Sequence, residues 1–171
     1  MTTDNKPQDG LQLLASDHRK VEDLFARFEK ASGTSTKEKI VREICTELKI
    51  HSQIEEEIYY PEIRGKVEED LLDEAYVEHD SAKLLINELD AAEPNEEFYD
   101  AKVKVLKELI EHHVEEEEKQ RDNLFQQTRA ADVDLEALGE QLAARKAELM
   151  AQSESTGLPP AAPATLQHEG A

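Results

Sequence analysis

Four stretches of this chain repeat apolar residues at alternating intervals of three and four, and a histidine interrupts each repeat once. The first runs Leu11, Leu14, His18, Val21, Phe25, Phe28; the second Val41, Ile44, Leu48, His51, Glu55, Ile58. The third runs Leu72, Ala75, His79, Ala82, Ile86, Leu89; the fourth Tyr99, Val103, Leu106, Ile110, His113, Glu117. Such a 3,4 alternation is the seam along which one helix packs on another. The pattern therefore predicts an all-α chain whose four long helices turn their apolar stripes, and one histidine each, toward shared interiors. Two of the stripes add a glutamate one turn after the histidine, Glu55 and Glu117.

A lone histidine on an apolar stripe is usually a hydrogen-bonded core residue. Four, one per helix and accompanied by two carboxylates, are harder to place that way. Carboxylates are almost never fully buried without a partner, and an uncompensated buried charge costs on the order of several kcal/mol. A core holding His18, His51, His79, His113, Glu55 and Glu117 needs a cation to share them, and a metal is the natural one. Six donors are too many for one closed tetrahedral zinc. Terminal imidazoles, with carboxylates whose two oxygens take different ions, describe instead a pair of metals roughly 3–4 Å apart. Nitrogen and oxygen donors suit iron, manganese or zinc, and spacing leaves that choice open. The Glu-x-x-His pattern of ferritin-like centres is missing: the residues three before His18, His51, His79, His112 and His113 are Ala15, Leu48, Tyr76, Leu109 and Ile110.

Caps and breakers set the expected boundaries. Residues 1–8 are polar and carry Pro7, which predicts a disordered N-terminus. Asp9 is an N-cap for a helix running to about Ala31, before the SGTST break. A second helix is expected from Ser35 or Thr36 to Tyr60, because Pro61 disfavours helical geometry in the residue before it. A third should run from Val67 to Ala91, and a fourth should begin after Pro94 and Asn95. The fourth would carry Glu96 and Glu97 in its first turn, where the helix dipole favours acids, and would continue past Phe125. A fifth, from Asp134 to Gln152, places Leu135, Leu138, Leu142 and Leu149 at helical spacing. From Ser153 onward, SESTGLPPAAPATLQHEGA has too little apolar content to offset ordering entropy, so a disordered tail is expected after one helical domain over 9–152. At 1.5 Å per residue these bounds place His18 and His51 within ~3 Å of the same height, whereas His79 and His113 differ by roughly six residues of count.

Composition narrows the function. Asp and Glu number 40 against 20 Lys and Arg, a formal charge of −20 that repels phosphate backbones and anionic lipid, so neither nucleic acid nor a membrane is an expected partner. The one cysteine, Cys45, excludes an intrachain disulfide framework. With no apolar leader in MTTDNKPQDG and no run approaching the ~20 residues of a membrane span, the expected location is cytoplasmic.

The stretches LLASDHRKVEDLFARFE, HSQIEEEIYYPEI, EHDSAKLLINEL and DAKVKVLKELIEHHVEEEE resemble the hemerythrin-like, or HHE cation-binding, domain over roughly residues 10–150. The resemblance implies an up-and-down four-helix bundle, here with an additional C-terminal helix, around a non-haem di-iron centre. It carries the ligands onto His18, His51, Glu55, His79, His113 and Glu117, the same six that the stripes select. It also implies oxygen, or another diatomic or peroxide, as the small-molecule partner, in binding, sensing or storage. Iron handling or peroxide consumption with the same ligands is the alternative, and a metal-free interaction module is a third reading. Two departures stand out. Where oxygen-carrying hemerythrins have a further histidine on the third helix, this chain has Ala75 and Lys83. The segment KQRDN intervenes before Leu124 and Phe125, like an insertion of about three residues, where related domains close the site quickly.

Other residues are read more plainly. His112 lies about 100° round the helix from His113, as a boundary residue. Glu56, Glu116 and Glu118 belong to acidic runs that usually form solvated faces, with Glu56 or Glu118 taking a bridging place if the phase is off by one. Tyr59 is expected to pack in the core, Cys45 to act as a small buried hydrophobe, and His168 to have no role.

Overall fold

The computed structural model describes residues 8–166, and every regular element among them is helical. The expected disordered N-terminus falls, but for Gln8, on residues outside that range. Helix α1 (Gly10–Lys30) starts as expected at Asp9, whose carboxylate accepts from the Gln12 N–H at 2.9 Å while the Gln12 amide accepts from the Asp9 N–H at 3.1 Å. Helix α2 (Thr34–Ile54) follows Gly33, which has φ 91°. The chain then takes one wider turn over Glu55–Tyr59, and α3 (Tyr60–Ile63) continues the same rod. Pro61 thus does not end the helix where its sequence predicts. In the wide turn the Tyr60 N–H bonds the Glu55 carbonyl five residues back, and Pro61 sits in the first turn of a new α segment, where a missing N–H costs little.

Helix α4 (Glu69–Ala91) begins two residues later than expected. The larger correction is at α5 (Tyr99–Val114), which starts after Phe98 in the left-handed region at φ 67°. Glu96 does not enter its first turn, because its carboxylate accepts from the Glu93 N–H at 2.8 Å in the connecting loop. This later start resolves the height mismatch: twelve residues separate His79 from Ala91, and fourteen separate Tyr99 from His113. Nor does α5 run past Phe125. A second wide turn, Glu115–Lys119, ends in a break at residues 120–123 with Asp122 at φ 57°, and α6 (Leu124–Ala130) turns back. Asn123 holds that break: it caps α6 by accepting from the Gln126 N–H, and its amide donates to the carbonyls of Glu118 and Gln120. The KQRDN segment forms this break, and Phe125 just after it is buried.

Helix α1 packs on α2, α2 on α4 and α4 on α5, while α7 (Leu135–Ser155) lies against α1 and α2. The apolar interior divides in two. Leu14, Ile54, Ala75 and Leu124 belong to one cluster, and Val21, Leu48, Ala82 and Leu106 to the other. On α1, α2 and α4 the histidine lies between a residue of one cluster and a residue of the other, so the polar side chains form a layer across the core.

Two findings change the reading of the C-terminal region. Gly139 on α7 approaches the start of α1 so closely that a Cβ there would lie 2.4 Å from the Gln8 carbonyl oxygen. Helix propensity alone favours Ala over Gly by about 1 kcal/mol, whereas overpacking against backbone costs about 1–3 kcal/mol. Gly139→Ala should therefore lower the thermal midpoint, read by circular dichroism; an unchanged or raised midpoint would refute this docking of α7. The tail is also not disordered as far as Leu166. Residues 158–166 run over α2 and α4, where Asn87 pairs with both the N–H and the carbonyl of Ala161, and the Asp80 carboxylate accepts from the N–H groups of Ala164, Thr165 and Leu166. These main-chain bonds supply the ordering that apolar burial does not. His168 lies outside the described residues.

Candidate metal centre

All six residues drawn from the stripes meet in the polar layer. Each histidine points Nε2 inward. His18 and His51 bring these atoms to 3.1 Å, and His79 and His113 to 3.2 Å. Donor atoms of His18, His51, Glu55 and Glu117 lie within 4.8 Å of one another, as do those of Glu55, His79 and His113. The carboxylates join the two groups. Glu55 sets Oε1 at 3.1 Å from His51 Nε2 and Oε2 at 3.0 Å from His79 Nε2, so its oxygens face different histidine pairs. Glu117 Oε2 stands 3.3 Å from both His18 and His113 Nε2. Glu55 is 0 % and Glu117 2 % exposed.

Both glutamates belong to the wide turns. The Tyr60 N–H bonds the Glu55 carbonyl and the Gln120 N–H the Glu115 carbonyl, each five residues back, which marks where each helix widens. Such single wide turns often occur at functional sites. At the first one the widening has a further effect, since the residue bonded back to Glu55 is Tyr60 rather than Tyr59. The Tyr60 hydroxyl donates to Glu55 Oε2 at 3.1 Å, and lies 3.1 Å from His79 Nε2 and 3.4 Å from Glu117 Oε1. Tyr59 instead bonds Thr128 in the core, as its sequence reading expects. Ideal α-helical geometry hides Tyr60, and the only sequence hint is Pro61 directly after an otherwise unbroken helical pattern.

The outward nitrogens are held by a second ring of acids. His18 Nδ1 meets Glu118 at 2.8 Å, His51 Nδ1 meets Asp17 at 3.2 Å, and His113 Nδ1 meets Glu78 at 3.0 Å. Carboxylates on the far nitrogen fix the tautomer and ring orientation of metal-ligating histidines. Lys146 of α7 pairs with Asp17, tying the fifth helix to the site. Phe125 stacks on the His18 ring at a centroid distance of 5.9 Å. His112 is 65 % exposed, pairs with Glu78 and Glu116, and takes no part in the central cluster. Cys45 is buried, which pushes its thiol up to about 12.

The electrostatics without a cation are those of a proton-filled site. Burial alone would depress His51, but Glu55 and Asp17 outweigh it and raise the imidazole to about 10. His18 and His113 are raised in the same way, against burial, by Glu117 with Glu118 and by Glu117 with Glu78. Glu55 is held well below the carboxylate range despite burial, because His51 and His79 face it. Protons do not satisfy everything: Glu55 Oε1 and Glu117 Oε2 lie 3.1–3.3 Å from imidazole nitrogens without an aligned hydrogen bond, and His79 Nδ1 is buried without a hydrogen-bond partner. Orphaned carboxylate oxygens pointing among converging imidazole nitrogens are what a pair of cations would satisfy, so the residues fit a dinuclear metal group.

A cavity of about 20 Å³ opens beside the histidines, lined by all four of them and by Val21, Leu48, Ile86, Ile110 and Val114. A volume of that kind holds about one water-sized molecule.

Comparisons with known proteins agree with this geometry. The family model described as the hemerythrin HHE cation binding domain matches residues 9–121. The crystal structure of a hemerythrin HHE cation binding domain-containing protein from Mycobacterium kansasii superposes with a TM-score of 0.72 at 23 % identity, covering 88 % of this chain and 95 % of that one. A DNA nickase of Nostoc sp. (strain PCC 7120 / SAG 25.82 / UTEX 2576) is 27 % identical over 106 residues, which is 62 % of this chain but only 30 % of that protein.

Proposed function

Because the chain belongs to the hemerythrin HHE cation-binding family, we propose that it is a cytoplasmic non-haem di-iron protein that binds oxygen or another diatomic-sized molecule beside its four histidines. On this reading α1, α2, α4 and α5 are the four helices of an up-and-down bundle. His18 and His51 would hold one ion, His79 and His113 the other, and Glu55 and Glu117 both. The observation that carries the proposal is the small cavity: it touches every one of the four histidines, its other walls are mostly aliphatic, and it is too small for an organic substrate. Bound iron would supply one-electron redox chemistry and an open coordination position.

The chain's own residues do the rest. Val21, Leu48, Ile86, Ile110 and Val114 keep bulk water from the cavity, which favours an uncharged ligand and slows loss of metal. Burial raises the Tyr60 phenol well above its ordinary range, so without metal it stays protonated and donates to Glu55. The carboxylates of Glu118, Asp17 and Glu78 hold three imidazoles in the orientation that aims Nε2 inward. Nicking of DNA is not proposed: most of the nickase lies outside the shared segment, and a charge of −20 opposes a phosphate backbone.

Elemental analysis of protein purified from iron-replete cells without chelator tests the proposal. About two irons per chain are expected, as a dinuclear clamp requires. Folded protein that carries no metal under those conditions would overturn it. With iron in place, saturable and reversible oxygen uptake supports the binding role, whereas steady peroxide consumption would reassign the site to iron handling or peroxide removal.

A further inference from the structure

Three of the four site histidines have a carboxylate bonded to Nδ1, and the fourth does not. His79 Nδ1 is buried without a partner, although Glu56 Oε2 lies 3.6 Å away. Glu56 is held short of it by Lys83, whose ammonium donates to Glu56 Oε1 at 2.8 Å. Lys83 is 5 % exposed, and its three donors are spent on Glu56, on the Ala162 carbonyl at 2.9 Å and on Asp80 Oδ1 at 3.4 Å. Two of those three acceptors belong to the anchorage of the C-terminal strap. Asp80, one residue from His79, takes the N–H groups of Ala164, Thr165 and Leu166 and the Thr165 hydroxyl. The strap also roofs a cavity of about 350 Å³ whose walls include Ser52, Glu56 and Lys83.

We propose that the docked strap, residues 157–166, withholds Glu56 from His79 by way of Lys83, and that its release lets Glu56 bond His79 Nδ1. The driving force is the Asp80 carboxylate. With the strap in place it takes four strap donors and meets Lys83 only at 3.4 Å, while Lys83 holds Glu56 at 2.8 Å. Without the strap, Asp80 loses those donors and the Lys83 ammonium loses Ala162, so the nearest cation and the unsatisfied carboxylate on the same face of α4 draw together. Glu56 is then free to accept from His79, completing the ring of acids already present on the other three histidines. A carboxylate on the far nitrogen orients an imidazole and strengthens its metal-facing atom as a donor. Strap docking therefore sets how firmly one of the two ions is held. That consequence rests on the metal reading above; the hydrogen bond does not.

The experiment follows the His79 ring by nitrogen-15 spectroscopy in zinc-loaded and metal-free protein, comparing the full chain, a chain ending at Leu158, and Lys83→Met in the full chain. In the full chain His79 Nδ1 has no partner, so its N–H resonance should lie clearly further downfield, as that of a hydrogen-bonded N–H, in both variants than in the full chain. The shift should be lost again when Glu56→Leu, which has no acceptor, is added to the shortened chain. A downfield position already in the full chain overturns the proposal, as does the lack of that shift in either variant. Zinc content reports separately: folded protein that takes up no zinc overturns the metal reading, and the metal-free spectra still decide whether the strap controls the bond.

Discussion

Replacing Glu55 with Gln should leave the helices in place and reduce bound metal from about two ions to fewer than one per chain, because the change removes the carboxylate that serves both positions of the clamp. Each Glu55 oxygen faces a different histidine pair, at 3.1 Å from His51 and 3.0 Å from His79, and the side chain is fully buried. An amide of the same volume keeps one oxygen but turns the other end into a donor and removes the negative charge. Neither pair then keeps its set, and two dications would sit in the core with Glu117 as the only remaining central anion. Fold should persist, since the apolar clusters on either side of the polar layer are untouched and a neutral side chain is less costly to bury than a charged one. The measurement is metal content after dialysis, with circular dichroism as the control for fold. Undiminished metal in the folded variant would remove Glu55 from the site. Glu56→Gln is the matched comparison: its neighbour in sequence bonds Lys83 instead of the central nitrogens, and it should keep both ions.

The ease with which Glu55 could be singled out, and the difficulty with Tyr60, have one physical cause. Apolar periodicity reports which residues face inward as long as the helix advances about 100° per residue. His18, His51, His79 and His113 lie within regular α-helix, so their stripes turn all four toward the interior, and Glu55 falls one α-turn after His51. Tyr60 lies past a wide turn that no single residue type demands, so ideal geometry points to Tyr59 instead. Glu96 and Glu97 look like first-turn acids and so predict too early a start for α5, while Glu96 in fact caps a loop N–H. Asp17 and Glu78 were invisible for a different reason. In a chain with 40 acidic residues, a carboxylate that orients a histidine looks like any solvated one until the neighbouring helix is in place. The strap is not legible in composition, because apolar content is a fair guide to order only where burial supplies it, and residues 158–166 are held largely by main-chain hydrogen bonds to Asp80, Asn87 and Lys83.

Metal uptake should release protons, and apparent affinity should climb steeply with pH. A ligating imidazole must give up the proton on the nitrogen that binds, and His18, His51 and His113 all have raised values in the metal-free protein, His51 to about 10. For the metal-free fold the sign is favourable at neutral pH. Raised imidazoles contribute stability that is fully present below their unfolded value near 6.5 and is lost as pH rises through the folded values, about 10 for His51. Glu55 and Glu117 are lowered, so their contribution is present above the unfolded carboxylate value and is lost only as pH falls through the depressed ones. The proton-filled site is thus stable across neutral pH, and an arriving ion must displace those protons. Each proton released per ion bound changes apparent affinity by about tenfold per pH unit. Loading at pH 8 should therefore be stronger than at pH 6 by at least about a hundredfold if a single proton leaves, and by more if several do. Calorimetric titration of metal-free protein with zinc, in buffers of different ionisation heat, counts the protons directly. A count of zero at pH 7 would mean that the imidazoles are already neutral, and that the carboxylates around them do less than their distances imply.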